Sequence, residues 1–442
     1  MKPLREYINK FYISLIIITT ITIIAFILLF FTGVNFLPPA DSEKKIYFVD
    51  NISPGHKIVI ERFNELNKGH IKVIPINLPF EKFSTNERKE LLIRYLRSKS
   101  DRIDIFSVDQ IWTPRFAKFV EPLGSYYPTN KRDLYLHSVI KSCYYNDQLV
   151  AVPLYLDISV MYYNIDELKT LPNYYNIKKE LDNFITWERF IEIGNKYKKN
   201  GKPFYVFPAS NYEGLLCSYF ELMESQNKKV FFEDSVNLSN KESVKAAQLL
   251  VDLVNKYNLS PVAVTGFKET ECDIEFISKK GMFLRNWPGF YKWYDTFIGE
   301  ENPWEKYGIA PLPYFNGSKH SNLIGGWNLM ISAYSKNKGA ALEFIKFLNS
   351  DEAQSILYEK SGYLPITKNF YENKNFINKY PQLSFYKGLF NSIVHRPYLE
   401  KYTRYSDILS HYLNLAIKNE ITVLDALKKA ESIINSDKIF FK

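Results

Sequence analysis

Between residues 45 and 108 the chain alternates extended and helical patterns in an order that leaves few folds open. Residues 45–50 (KIYFVD) read as a strand, and 56–67 as a helix with Ile58, Val59, Phe63 and Leu66 on one face. A second strand follows at 71–76, an amphipathic helix at 85–98 and a third strand at 103–108 (IDIFSV). The last is apolar almost throughout, as a strand covered on both faces must be. This order predicts a parallel sheet wrapped by helices, an α/β fold. Ligands of such sheets bind beyond the carboxyl ends of the strands, where Asn51 and Asp109 stand.

A second stretch, 151–164 (AVPLYLDISVMYYN), tells how the rest is joined. Pro153 biases Val152 toward extended backbone, and the run stays β-prone through Ile158, Val160, Met161, Tyr162 and Tyr163. The two-residue period of a strand puts Tyr155 and Asp157 on one face. A carboxylate inside a buried strand is costly unless something pairs with it. The strand is therefore expected to cross from one lobe to another, with Tyr155 and Asp157 facing the cleft between them.

A chain of 442 residues suits two or three folding units. Residues 11–32 carry no charge and are long enough to span a bilayer core of about 30 Å. Lys2, Arg5 and Lys10 precede them, which puts the N-terminus in the cytoplasm and the rest outside. The expected layout is a cytoplasmic 1–10, a single transmembrane anchor at 11–32 and a linker at 33–44. No cysteine follows the apolar span, which excludes a bacterial lipoprotein anchor; Pro38-Pro39-Ala40 is a weak cleavage site, and a cleaved signal is the alternative to an anchor. Cys143, Cys217 and Cys272 match no metal or redox spacing. One disulfide with a free thiol and three buried thiols both fit. The net charge of +9 is spread over the chain without a basic block interleaved with aromatics, so no nucleic-acid partner is expected. Aromatic content is 16%, a surplus that suits flat apolar ligands such as sugars.

Four stretches together resemble a known family: Asn86-Glu87-Arg88 through Asp109; Phe119-Val120-Glu121-Pro122-Leu123; Val152-Pro153-Leu154-Tyr155 through Asn164; and Gly325-Gly326-Trp327 through Ser332 with the helices after it. Their order and spacing are similar to those of extracellular solute-binding proteins that serve sugar ABC transporters, in the maltose- and trehalose-binding group. The resemblance covers residue 45 to the C-terminus. It implies a two-lobe periplasmic-binding-protein fold of type II, hinged between lobes. By analogy 45–152 plus 311–365 form the N-terminal lobe, and 153–310 plus 366–442 the other.

The same resemblance implies the site residues. Sugars need hydrogen-bonding groups for their hydroxyls and rings for their apolar faces. Asp109 resembles the acidic ligand residue, Trp112 just after it is counted among the ligand-binding residues, and Tyr155 and Asp157 resemble the crossing-strand contacts. Trp287 resembles the stacking ring of the second lobe, and Gly325, Gly326 and Trp327 the glycine–tryptophan loop. Arg396 resembles a C-terminal arginine that forks onto hydroxyls, and Arg88 an arginine that relatives place nearby. Relatives often carry a glutamate after the first strand; here Asn51 stands there, a neutral substitute. The expected protein is a monomer with no enzyme activity, metal or cofactor, delivering a di- or oligosaccharide to an ABC permease. Three alternatives stay open: a sensory module for a membrane partner, a non-sugar ligand such as a glycerophosphodiester, and a glycoside hydrolase using Asp109 with Asp157.

Overall fold

The computed structural model describes residues 2–31, 43–79, 82–83, 85–232, 234–300 and 302–436. The first helix, α1, spans Lys2–Phe31, and every side chain from 10 to 24 is exposed. Among the described residues no helix is long and apolar enough to cross a membrane. The span expected at 11–32 runs past the end of α1, and 33–44 lies mostly outside the described residues.

β1 (Lys44–Asp50) and β2 (Ile71–Asn77) pair in parallel, from Lys44 opposite Ile71 to Asp50 opposite Asn77. β3 (Ile105–Asp109) lies on the other side of β1 and is buried at every position. The connecting helices are α2 (Pro54–Leu66) and α3 (Thr85–Arg97). α2 begins before the expected residue 56. Ser53 caps it by accepting from the His56 N–H at 3.3 Å, and the Ser53 N–H donates back to His56 Nδ1. Pro54 takes the first helical position, where a missing N–H costs nothing.

β4 (Tyr144–Tyr145) and β5 (Gln148–Leu149) form a small hairpin. Its turn residues Asn146 and Asp147 both have positive φ, as a primed two-residue turn requires. β6 (Val152–Ile158), β7 (Val160–Asn164), β8 (Tyr205–Val206), β9 (Phe283–Asn286), β10 (Tyr307–Ala310), β11 (Asn322–Ile331) and β12 (Ile393–Val394) follow. One sheet has the order β12-β11-β3-β1-β2, with β6 also on β11; the second has the order β10-β7-β9-β8. Each sheet is the floor of one lobe. Residues 279–282 form a turn after the helix Glu269–Ser278, with Lys280 at φ 50°. The strand there is β9.

The chain leaves the first sheet at Ser159, between β6 and β7. That is later than the boundary expected at 152/153, because β6 stays paired to β11 as far as Ile158. It returns at Asn322 rather than 311: Tyr314 O still accepts from Trp187 N in the second lobe. Residues 366–368 stay with the first lobe, since Ile366 O accepts from Leu136 N and Lys368 N donates to Leu134 O. The crossings meet in one knot. Ser159 N donates to Leu323 O at 2.9 Å, Leu323 N to Ser159 Oγ at 2.7 Å, and Asn322 Nδ2 to Ser159 O at 2.8 Å. Ser392 Oγ donates to Asn322 Oδ1, beside β12 on Asn322 and Leu323. Strands that cross side by side at one point are the geometry of a hinge. The three cysteines are buried and free.

Candidate functional site

The first wall of the cleft grows from the carboxyl ends of β1 and β3. Asp50, the last residue of β1, is 3% exposed. Its Oδ1 accepts from Arg88 Nη2 at 2.9 Å and from the Asn51 N–H at 2.6 Å. His56 Nε2 stands 3.7 Å from Oδ2, and burial holds that imidazole below its ordinary range. It is therefore neutral near pH 7, and Arg88 carries the charge that balances Asp50. The carboxylate that the loop after β1 lacks is thus present one residue earlier, with Asn51 half-buried beside it. Arg88, on α3, is buried rather than on a solvated helix face. Its guanidinium carbon lies 4.4 Å from the ring centroid of Trp327.

Trp327 sits in β11 opposite Asp109 on one side and Tyr155 on the other. Trp112 packs edge-on beneath it at 6.2 Å and is 1% exposed, so it supports Trp327 from behind. Tyr155 stacks flat on Tyr363, centroids 3.9 Å apart. The two preceding glycines make room. Gly326 has φ +123°, and a Cβ there would lie 2.5 Å from Tyr155 O. A Cβ on Gly325 would lie 3.0 Å from Trp287 Cζ3 and 3.2 Å from Asp157 Cβ.

Trp287 comes from the second lobe, just past β9, and is half-buried. Its indole N–H donates to Glu269 Oε1 at 3.4 Å. Arg285, two residues earlier, forks onto Glu221 of the helix Glu213–Ser225, and its guanidinium carbon lies 4.3 Å from the Trp287 ring. Asp157 is half-buried on the crossing strand. Its carboxylate has no hydrogen-bond partner among the described residues. Burial pushes its pKa well above the carboxylate range, the charges of Asp109 and Glu269 add to that, and Arg285 opposes it.

Asp109 caps the short turn after β3 through the Ile111 N–H at 3.3 Å and accepts from Arg396 Nη2 at 2.6 Å. Arg396 Nη1 donates to Glu213 Oε1 at 2.8 Å, and Tyr402 Oη donates to the same oxygen. The fork of Arg396 is thus taken by two carboxylates, one from each lobe. Asp109, Arg88, Tyr155 and Trp112 gather on Trp327, Gly326 lies against Tyr155, Trp287 and Asp157 meet at Gly325, Arg396 pairs with Asp109, and Asn51 stands beside Asp50. Among the described residues no group of acidic, His or Cys side chains is arranged to hold a metal. What the arrangement offers is carboxylate acceptors between aromatic faces.

Residues 50–355 match the family model of bacterial extracellular solute-binding proteins. The chain belongs to that family. This solute-binding protein is 26% identical to a probable ABC transporter-binding protein of Deinococcus radiodurans over 353 residues, 78% of this chain and 83% of the relative. It is 24% identical to an arabinooligosaccharide-binding protein of Bacillus subtilis over 338 residues, 72% and 73% of the two. Among solved structures, maltose-bound MalE3 of T. maritima matches with a TM-score of 0.78 at 28% identity, over 89% of this chain and 100% of that one. The family binds and does not catalyse, so the hydrolase alternative for Asp109 and Asp157 falls away.

Sequence reasoning passed over Asp50, Glu213, Glu221, Glu269, Arg285 and Tyr363. Two of these carried a signal. Asp50 ends a strand of a parallel sheet, and Arg285 shares a face with Trp287 by the two-residue period. The others come from helices and loops that only the fold brings near.

Proposed function

We propose that this solute-binding protein captures a di- or oligosaccharide of the maltose or trehalose kind between its lobes and delivers it to an ABC permease. The observation that carries the reading is one contact: Trp287 of the second lobe lies on Gly325 of the first, against the unpartnered Asp157 and two residues along β11 from Trp327. Rings from both lobes supply the apolar faces a pyranose stacks on. Asp157, Asp109 and Tyr155 supply its hydroxyl partners, and Asn51 a neutral one. The Ser159–Asn322 knot is the hinge about which the lobes would open to admit the ligand.

Charge argues against a glycerophosphodiester. Arg88 is paired with Asp50, Arg285 with Glu221, and Arg396 with Asp109 and Glu213. Glu269 is a further carboxylate beyond those pairs, beside Trp287. A phosphate would meet repulsion where it needs an available guanidinium.

The exposed apolar side chains of α1, among them Phe11, Ile16 and Ile18, support a further reading. The helix anchors the lobes to a membrane, with Lys2, Arg5 and Lys10 on the cytoplasmic side.

The test is thermal unfolding of the full-length chain in mild detergent with trehalose, maltose, maltotriose, sucrose or sn-glycerol 3-phosphate. A ligand at 100 times its Kd adds about 2.7 kcal/mol, a rise of several degrees. A rise with one neutral sugar and none with the phosphate is the expected result. A rise with the phosphate alone would overturn the sugar reading.

A further inference from the structure

Both cleft tryptophans have the same backing. In the first lobe Asp50 holds Arg88, and Arg88 lies over Trp327 at 4.4 Å. In the second Glu221 holds Arg285, and Arg285 lies over Trp287 at 4.3 Å. The elements that supply these triads are unrelated: β1, α3 and β11 in one, a helix and β9 in the other. Arg88 is 1% exposed and Arg285 0%, so neither is a surface charge that drifted over a ring.

We propose that Arg88 and Arg285 are positioning residues that act on the ligand through the two tryptophans rather than by touching it. The proposal rests on the sugar reading of the cleft. A guanidinium is planar and rigid; Glu221 takes two N–H groups of Arg285 and so fixes its plane, while Asp50 takes one of Arg88 and ties it at a single point. A ring face over a fixed cation is held by the attraction between charge and quadrupole. Each indole then has one face committed to its arginine, so a sugar would stack on the opposite one. The ring keeps its orientation while the lobes are apart, so the stacking surface is in place before the ligand arrives. Trp287 needs this most, because its other anchors are one long N–H bond to Glu269 and an edge contact at Gly325. A lysine at either position keeps the charge and loses the plane.

The experiment uses the full-length chain labelled with 5-fluorotryptophan, in mild detergent. Fluorine resonances are assigned with Trp287→Phe and Trp327→Phe. Arg285→Lys is expected to shift or broaden the Trp287 resonance and leave that of Trp327 in place. Arg88→Lys is expected to do the reverse. Glu221→Gln and Asp50→Asn keep each arginine but loosen its anchor, and are expected to give smaller shifts of the same resonances. These serve if a lysine variant fails to fold, which loss of dispersion at all six tryptophans reports. Calorimetry with maltose is expected to show affinity lowered about tenfold in Arg285→Lys. A Trp287 resonance unmoved in both Arg285→Lys and Glu221→Gln would overturn the proposal, as would unchanged maltose affinity in a folded Arg285→Lys. If the wild-type chain binds no sugar at all, the sugar reading fails, and the resonances still decide whether the arginines position the rings.

Discussion

Gly326 is held as glycine by two independent constraints, a φ of +123° and a backbone oxygen 2.5 Å from where a Cβ would go. Backbone strain of that kind costs roughly 1–3 kcal/mol for a non-glycine residue, and the clash adds to it. Gly326→Ala is therefore expected to lower the urea midpoint by the equivalent of at least ~2 kcal/mol with the slope unchanged. A midpoint within error of wild type would show that the strand relaxes around the methyl group. Asp157 gives a pH prediction. Burial, then Asp109 and Glu269, raise its folded pKa, so the folded state binds the proton more tightly than the unfolded chain. Stability from this group is full below the ordinary carboxylate range and falls as pH rises through the raised value. Asp157→Asn cannot ionise, so it is expected to stabilise the ligand-free chain at pH 7, with the gain fading as pH drops toward about 4. A gain that grows on acidification would mean the sign of the shift is wrong. The sequence placed Asp157 and Tyr155 on one face because a strand has a strict period. It gave no hint that Asp157 lacks a partner, which depends on where helices far along the chain come to lie.

At the scale of elements, the joints are where small changes act. Ser53 caps α2, and its hydroxyl also accepts a hydrogen bond from Ser361 Oγ at 2.8 Å, tying that cap to the helix Asp351–Ser361. Ser53→Ala is expected to cost about 1 kcal/mol by loss of the cap. The hinge knot is more sensitive. Asn322→Ala removes the donor to Ser159 O and the acceptor for Ser392, both buried, and is expected to cost roughly 1–3 kcal/mol in chemical denaturation. Arg396 joins Asp109 of the first lobe to Glu213 of the second at full burial. Arg396→Ala leaves two buried carboxylates uncompensated, so a loss of about 3–5 kcal/mol is expected. If Asp109→Asn with Glu213→Gln in the same chain fails to recover part of that loss, charge compensation is not the reason for it. Most strands and helices were legible from periodicity. The turn at 279–282 is not, because the left-handed Lys280 that makes it has no compositional mark and Met282, Phe283 and Leu284 form one apolar run.

For the whole molecule, the two sheets are separate floors and the cleft between them belongs to neither. A cleft whose guanidiniums are all paired should bind a neutral sugar with little response to salt. The expected maltose affinity changes less than about threefold between 50 and 500 mM NaCl, because no long-range charge attraction is being screened. α1 makes a prediction of its own. The full-length chain is expected to sediment with membranes, and a chain lacking residues 1–42 to remain in the supernatant. Equal partition of both would remove the anchor reading.

The α/β class and the strand that crosses between the sheets were readable from the sequence, as was the shared face of Tyr155 and Asp157. These follow from local periods, turn chemistry and the rule that a parallel sheet presents its carboxyl ends to a ligand. Which charge meets which follows from the packing of both lobes alone. Asp50 with Arg88, Glu221 with Arg285, and Arg396 between Asp109 and Glu213 are separated along the chain by tens to hundreds of positions. A buried charge takes its partner from whatever the packing of both lobes brings within reach, and no local pattern encodes that distance.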